Sequence, residues 1–326
     1  MKKFFQKNPL RAFYKDDWRR PALVGVTVGV LCAVAMASGV LLSWKWRLAD
    51  RMYLPHASSP RIVLVVIDDA SLARIGRWPW DRSVHADLIG KISAGNPSAI
   101  GYDISFPEPS DDRNDGALEE AMRASGKVVL PVELSLNDRS NRVEYDPLRV
   151  IAPISRLGAA AARTGFANTP LDSDGVMRRV PLNAFSPDGS SIDAFASQIA
   201  VVGGLTVDAH QGTDAASRLL VNFPDVPKKG FFTVSASEVI DGNIPSERFT
   251  DAFVLVGATA SSLHDEQLTA ASHAEPMSGI QIQASVLDTL LQKRFLYEFP
   301  MAGTVCWLIL LGAMLGLILP RVRARY

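Results

Sequence analysis

Cysteine is almost missing from these 326 residues, with two in all, Cys32 and Cys306. Both fall in uncharged apolar stretches near opposite ends of the chain. The middle of the chain therefore has no disulfide framework and must be held by a hydrophobic core, for which ~250 residues suffice. Histidine is scarce, with five residues. There is no internal repeat and no low-complexity tract, which excludes a solenoid or a fibrous chain. A Gly-x-Ser-x-Gly elbow, a glycine-rich phosphate loop and Cys/His zinc spacing are all missing, so three common catalytic or metal signatures are not carried. Net charge is also missing, with 34 basic against 34 acidic residues.

That neutrality hides a segregation of charge. The first twenty residues carry Lys2, Lys3, Lys7, Arg11, Lys15, Arg19 and Arg20 against Asp16 and Asp17, and the last six carry Arg321, Arg323 and Arg325. Setting aside those ten cations and two anions leaves 24 basic and 32 acidic residues, so the body is about minus eight by formal count. An acidic body argues against a nucleic-acid partner.

What the chain does have is two long uncharged runs, Pro21–Trp44 and Phe299–Pro320. At ~1.5 Å per residue each is long enough for a ~30 Å hydrocarbon core, so both are read as transmembrane helices in contact with membrane lipid. No small-residue cleavage site follows the first, which argues against a removed signal peptide. With basic clusters before the first span and after the second, the positive-inside rule places both termini in the cytoplasm and residues ~45–298 outside the plasma (inner) membrane. The domain plan is a cytoplasmic tail (1–20), a span (21–44), an extracytoplasmic domain (45–298), a second span (299–320) and a cytoplasmic end (321–326). Cys32 then lies near mid-membrane and Cys306 about a turn from the outer end. Such a difference in depth argues against a bridge, which needs Cα atoms within ~7 Å. Small residues recur at every fourth position, Gly25, Gly29, Ala33 and Ala37, and again at Gly312 and Gly316. Such stripes let helix backbones approach closely. They pack either the two spans together or two copies of the chain in a homodimer that transmits a signal.

The middle reads as an α/β domain, a mixed sheet with flanking helices. Its organising stretch is Arg61–Pro107. The β-branched run Ile62–Ile67 fits a strand buried on both faces, Ser83–Ser93 a helix with Val84, Leu88 and Ile92 on one side, and Ala99–Ile104 a second parallel strand. A short helix is expected over Asp69–Ile75, with Asp69 as N-cap and Gly76 as stop. Further helices are expected at Asp115–Ser125, Ile154–Ala162, Ile192–Val202 and Ile280–Leu291, with a Ser235/Glu238 capping box opening a short one that Gly242 closes. Strands are expected at Val128–Leu134, Arg218–Phe223, Phe231–Val234 and Phe253–Val256, with a polar turn at Asn137–Arg142. A hairpin is expected between Thr164–Thr169 and Val176–Phe185, around Asp172-Ser173-Asp174-Gly175.

Candidate site residues gather where open α/β sheets bind ligands, past the carboxyl ends of the strands. Asp68, Asp69 and Asp103 could together hold a hard cation or accept hydrogen bonds from a cationic or sugar-like ligand; alternatively Asp69 caps a helix and the others bond loop amides. Trp78 and Trp80 could wall a ligand site or staple their loop to the core. Arg82 is expected to pair with a strand-end aspartate; His85 could titrate near neutrality and so report acidity, though a single histidine in a helix's first turn is seldom a sensor. Arg178 and Arg179 follow on one strand with opposite facings, so at most one is expected to point inward. The Asp172 loop lacks the glutamate of an EF-hand, since Asn183 stands there. His264, Asp265, Glu266, His273 and Glu275 fit no ligand spacing. No catalytic residue, metal or cofactor is assigned.

Several pieces in this order resemble one family: Ile62–Asp69 with Ala70-Ser71-Leu72; Gly76–Trp80; Ala99–Phe106 with Glu108-Pro109; Asp174–Leu182; Phe253–Ala260; and Gly279–Leu291. Together they resemble the CHASE domain of type 2, an extracellular sensory module associated with cyclases and histidine kinases. The resemblance implies an input domain between an N-terminal span and three C-terminal spans, followed by a nucleotide cyclase, diguanylate cyclase or kinase. This sequence has one C-terminal span and reaches Tyr326 without an output domain, so the expectation is either the input half of a longer receptor, with its output in cis or in trans, or a stand-alone membrane protein. Gln281 and Gln283 stand where the family often has an acid and a histidine, and the proline that often follows the counterpart of Thr269 is missing. The resemblance does not name a ligand. The function expected is a membrane receptor input module, not an enzyme. A shift of Ile280–Leu291 would reach the second span through the short linker Gln292–Glu298. The alternatives are a membrane-tethered metal-dependent hydrolase using Asp68, Asp69 and Asp103, and a non-enzymatic envelope scaffold.

Overall fold

The structure is a computed structural model that describes residues 19–54, 56–139, 142–224, 230–263, 266–271 and 275–323. It divides into two compact units, Met52–Tyr297 and a helical unit formed by the residues up to Arg51 and from Glu298 onward.

The helical unit begins with α1 (Arg19–Ala37), a turn in which Gly39 takes φ +80°, and α2 (Leu42–Asp50). The first apolar helix is thus shorter than the expected span of 21–44. A left-handed glycine breaks the run, a conformation open to glycine at no steric cost.

In the α/β unit, β1 (Ile62–Ile67) is buried at every position. It leads through α3 (Asp69–Ile75) and α4 (Arg82–Ser93) to β2 (Ala99–Tyr102), then α5 (Asp112–Ser125) and the long β3 (Val128–Arg139). After β4 (Arg142–Ile151) come α6 (Ser155–Ala160), β5 (Arg163–Phe166), β6 (Arg179–Pro181), β7 (Asn183–Phe185) and β8 (Ser191–Asp193). The rest is α7 (Phe195–Val202), β9 (Arg218–Leu220), β10 (Phe232–Ser235), α8 (Ala236–Ile240), β11 (Phe253–Ala258), β12 (Glu266–Gln267), β13 (Met277–Ser278) and α9 (Gly279–Gln292). α10 (Met301–Arg323) returns to the helical unit.

The main sheet runs β10-β1-β11-β2-β3-β4-β7-β8, with β5 also paired to β3. β10, β1, β11, β2 and the start of β3 are parallel neighbours, and β5 joins β3 in parallel. Alternation explains the unbroken apolar run of β1. Ile62, Leu64 and Val66 pack with Phe195 and Ile199 of α7 and Ile280, Ala284 and Leu287 of α9. Val63, Val65 and Ile67 pack with Leu88 and Ile92 of α4, Leu118 and Met122 of α5, and Val239 of α8. Both faces of the sheet are therefore helix-covered, which is what a parallel sheet needs. The fold is α/β with a central mixed sheet.

Four local expectations are corrected. Asp68, not Asp69, caps α3: its side chain accepts the Ser71 N–H. α5 begins a turn earlier than expected, capped by Asp111, with Gly126 at φ +61° after its end. Asn137–Arg139 and Arg142, expected in a turn, lie on a ribbon, because β3 and the unforeseen β4 run together from Glu133↔Ile151 to Arg139↔Arg142; residues 140 and 141 lie outside the described residues. The hairpin around Asp172 does not form. β5 pairs with β3, β6 with β9, and β7 with β4 and β8. Its turn signals fold onto arginine instead. Arg178 reaches Asp172 (3.0 Å) and Asp174 (2.9 Å), and Arg179 also reaches Asp172 (3.2 Å), so both neighbours engage the loop. The Ser235/Glu238 capping box is present as expected. A second, unforeseen box, Ser278 with Gln281, opens α9.

Candidate functional site

The strand-end aspartates share an edge of the sheet but do not meet. Asp68 follows β1 and Asp103 follows β2, and β11 lies between those strands, a gap of roughly 10 Å at ~4.8 Å per strand. Asp68 is tied into a serine knot. Its Oδ1 accepts from the Ser71 N–H (2.8 Å), the Ser71 hydroxyl (2.7 Å) and the Ser235 hydroxyl (2.7 Å). Burial pushes this carboxyl up, but the hydrogen bonds from Ser71 and Ser235 outweigh it and hold its pKa below the ordinary value. Asp69 is exposed in the first turn of α3. Among the described residues no three His, Cys, Asp or Glu side chains are placed to hold a metal ion. His264, Asp265 and His273 lie outside the described residues.

The Trp-Pro-Trp loop turns inward. Trp80 is buried and donates from Nε1 to the Gly76 carbonyl at 2.9 Å. Trp78 and Trp80 meet edge-on with centroids 5.4 Å apart, and both lie within 6 Å of the His85 ring. His85 also packs against Phe106 (5.3 Å) and Tyr102 (5.8 Å), and its Nδ1 is 2.7 Å from the Tyr102 hydroxyl. α4 thus presents His85 to an aromatic box, whereas a sensor of acidity needs water. Burial, helped by the nearby Arg82 charge, lowers its pKa to about 4, against a smaller opposing hydrogen bond to the Trp80 backbone. The expectation of titration near neutrality is therefore corrected: His85 is neutral there. Arg82 is corrected too. It pairs with Asp115 of α5 and the Glu108 carbonyl, and lies over the Phe106 ring at 5.3 Å.

The His85 environment sets a pH dependence. A histidine whose folded pKa lies below its unfolded ~6.5 contributes fully above that value, and the contribution is lost as pH falls toward 4. The unit should lose up to about 3 kcal/mol over that window. A His85→Gln variant should show a flatter slope between pH 6.5 and 4 in chemical denaturation, whatever its absolute stability; an unchanged slope would assign the acid sensitivity elsewhere.

Of the seven residues singled out, one, Asp103, lines an open cleft of about 460 Å³. The cleft lies past the ends of β2 and β5, against β3 and the start of α9. The sheet makes room there. β3 pairs with β2 over Val128–Val129 and with β5 over Val129–Val132, then continues beyond both toward β4. The carboxamide of Asn168 extends β5 by one false rung, accepting the Leu134 N–H (2.8 Å) and donating to the Leu134 carbonyl (3.0 Å). Ser105, Glu133, Thr169 and Gln283 complete much of the rim. Spacing gave no hint of this cleft, since its walls come from segments far apart in sequence. The available signals were Asp103, placed at a strand end, and Gln283, a position where the resemblance showed a departure.

In the helical unit the four glycines meet within one chain. A Cβ on Gly25 would lie 2.1 Å from the Gly312 carbonyl oxygen, one on Gly316 2.3 Å from that of Pro21, and one on Gly29 2.7 Å from that of Leu308. The small stripes seat α1 directly against α10. Arg19–Ala37 and Met301–Leu319 are long and apolar enough to cross a bilayer by length and composition.

The α/β unit thus has helices on both faces of its sheet and an open cleft at the strand edge. The CHASE2 domain family matches residues 26–318, and the chain belongs to it. CHASE2 is an extracytoplasmic sensory domain without catalytic activity of its own. A search of the curated proteins and one of the solved structures return no match.

Proposed function

We propose that the chain is the input half of a transmembrane receptor in the plasma membrane. The α/β unit lies outside, both tails are cytoplasmic, and α1 and α10 carry the response to a cyclase or kinase output in cis or in trans, in a homodimer. The observation that carries this is the extent of the family match, residues 26–318, which takes in the α/β unit and most of each apolar helix. The basic residues outside those helices support the orientation through the positive-inside rule. The short segment between α9 and α10 supports relay, because little chain separates them.

The orientation is tested with one new thiol. Leu148 on β4 is 93 % exposed. In a chain whose two native cysteines are replaced by alanine, Leu148→Cys should react with a membrane-impermeant maleimide in intact spheroplasts. Labelling that begins only after permeabilisation would place the α/β unit inside and end the receptor reading.

A further inference from the structure

We propose that α2 lies flat in the headgroup layer of the bilayer, where Arg47 and Arg51 bind anionic phospholipid. This rests on the membrane placement proposed above and adds a lipid partner for one helix. α1 has 19 residues, about 28 Å of helix, which nearly uses up a ~30 Å hydrocarbon core. It ends at Ala37, just before Gly39 turns left-handed, so α2 starts where the interface starts. That interface is only ~5–8 Å deep on each side. α2 has nine residues, and standing upright at about 13 Å it would carry its second half out into water.

The side chains of α2 decide between upright and flat. At 3.6 residues per turn, Trp44, Arg47, Leu48 and Arg51 fall on one face about 100° wide. All four are exposed, Trp44 by 66 % and Leu48 by 60 %. The other side is taken up by the protein. Trp46 is 9 % exposed, Asp50 is half-buried, and Lys45 pairs with Glu298 at 3.2 Å. α2 is therefore held by that side and turns the Trp44 face outward. Water is a poor setting for an exposed tryptophan and leucine one turn apart, and hydrocarbon is a poor setting for two arginines. The headgroup layer suits both. Tryptophan and leucine sink to the acyl boundary, while guanidinium groups reach lipid phosphates with paired hydrogen bonds. The positive-inside rule leaves the outer end of a span poor in cations. Arg47 and Arg51 stand at that end nonetheless, on the face they share with Trp44, so they need a local partner. Two cations at headgroup depth favour an anionic lipid over a zwitterionic one.

The test uses the full chain, with both native cysteines replaced by alanine, in nanodiscs. A nitroxide on Leu48→Cys should be reached better by dissolved oxygen than by a water-soluble nickel chelate, as at the acyl boundary. Adding phosphatidylglycerol to phosphatidylcholine should raise that oxygen-over-nickel ratio about twofold. The double variant Arg47→Gln, Arg51→Gln should lose the rise, whereas Lys45→Gln should keep it, because Lys45 is engaged by Glu298. A rise that survives loss of both arginines, or no rise at all, overturns anionic lipid as the partner. The control is a nitroxide on Leu31→Cys in α1, a position 63 % exposed, which should report hydrocarbon in the parent and in every variant. A Leu48 label in water with the Leu31 label in hydrocarbon overturns this inference and leaves the receptor reading standing. Both labels in water overturn the membrane placement and the inference with it.

Discussion

Arg82→Met is expected to lower the stability of the α/β unit by about 3–5 kcal/mol, the range for removing one member of a buried ion pair. Arg82 and Asp115 keep side-chain exposures of 10 % and 5 %. Without the guanidinium, Asp115 retains one backbone donor, the Ser110 N–H at 3.1 Å, for a carboxylate out of reach of water. The Glu108 carbonyl loses its partner as well. At ~2–4 °C per kcal/mol for a domain of this size, the melting temperature of the full chain in detergent should fall by about 6–20 °C. The double variant Arg82→Met, Asp115→Leu should recover most of that loss, because an apolar pair removes the stranded charge. A ligand-contacting arginine would behave in the opposite way, with binding lost and melting unchanged. A melting temperature within a degree of the parent would return Arg82 to the list of ligand contacts.

The Arg82 pair also shows where sequence reasoning stops. β1 was legible because an unbroken β-branched run has few other uses, and the face-by-face alternation of Ile62 to Ile67 followed once both sides were covered. The Ser235/Glu238 box was legible because its chemistry is local. The partner of Arg82 was not, because Asp115 arrives on another helix and spacing carries no record of how α4 and α5 pack. β4 was missed for a different reason. Asp146 and Pro147, poor strand formers, interrupt its pattern; they fall in the register shift between Tyr145 and Val150, and the residues on either side pair with the edge that β3 offers. At Asp172–Gly175 the turn chemistry was read correctly, with Gly175 at φ +78°, yet strand pairing was decided by the β3 and β9 edges rather than by the turn. The cleft unites both failures, since its lining combines the end of β5, the extension of β3 and the first turn of α9.

Gly312→Leu is expected to drive α1 and α10 apart. A Cβ at Gly312 would sit 2.3 Å from the Gly25 carbonyl oxygen and 3.0 Å from the Gly29 Cα. Both are backbone atoms, so no rotamer change relieves the clash and the helices themselves must move. Seating a leucine returns the pair toward the 8–10 Å axis separation of ordinary helix packing, an increase of roughly 2 Å or more. The chain supplies its own reporters, since its two cysteines, Cys32 and Cys306, stand exposed on α1 and α10. Nitroxide labels on that pair, read by pulsed dipolar spectroscopy in nanodiscs, should give a longer and broader distance distribution for Gly312→Leu than for the parent. Gly25→Leu, which meets the same contact from the other side at 2.1 Å, should shift it in the same direction. Gly303→Leu, where a Cβ would meet the Phe299 ring of its own segment, should leave the distance alone. An unaltered distribution for Gly312→Leu would mean that the glycine stripes face another molecule rather than each other, and would move the proposed signalling contact from within one chain to between two. If the distance does shift, the same variant tests relay. Helices in backbone contact change arrangement in discrete steps rather than by continuous sliding, so a receptor carrying Gly312→Leu should hold its output at one level whether or not the cue is bound.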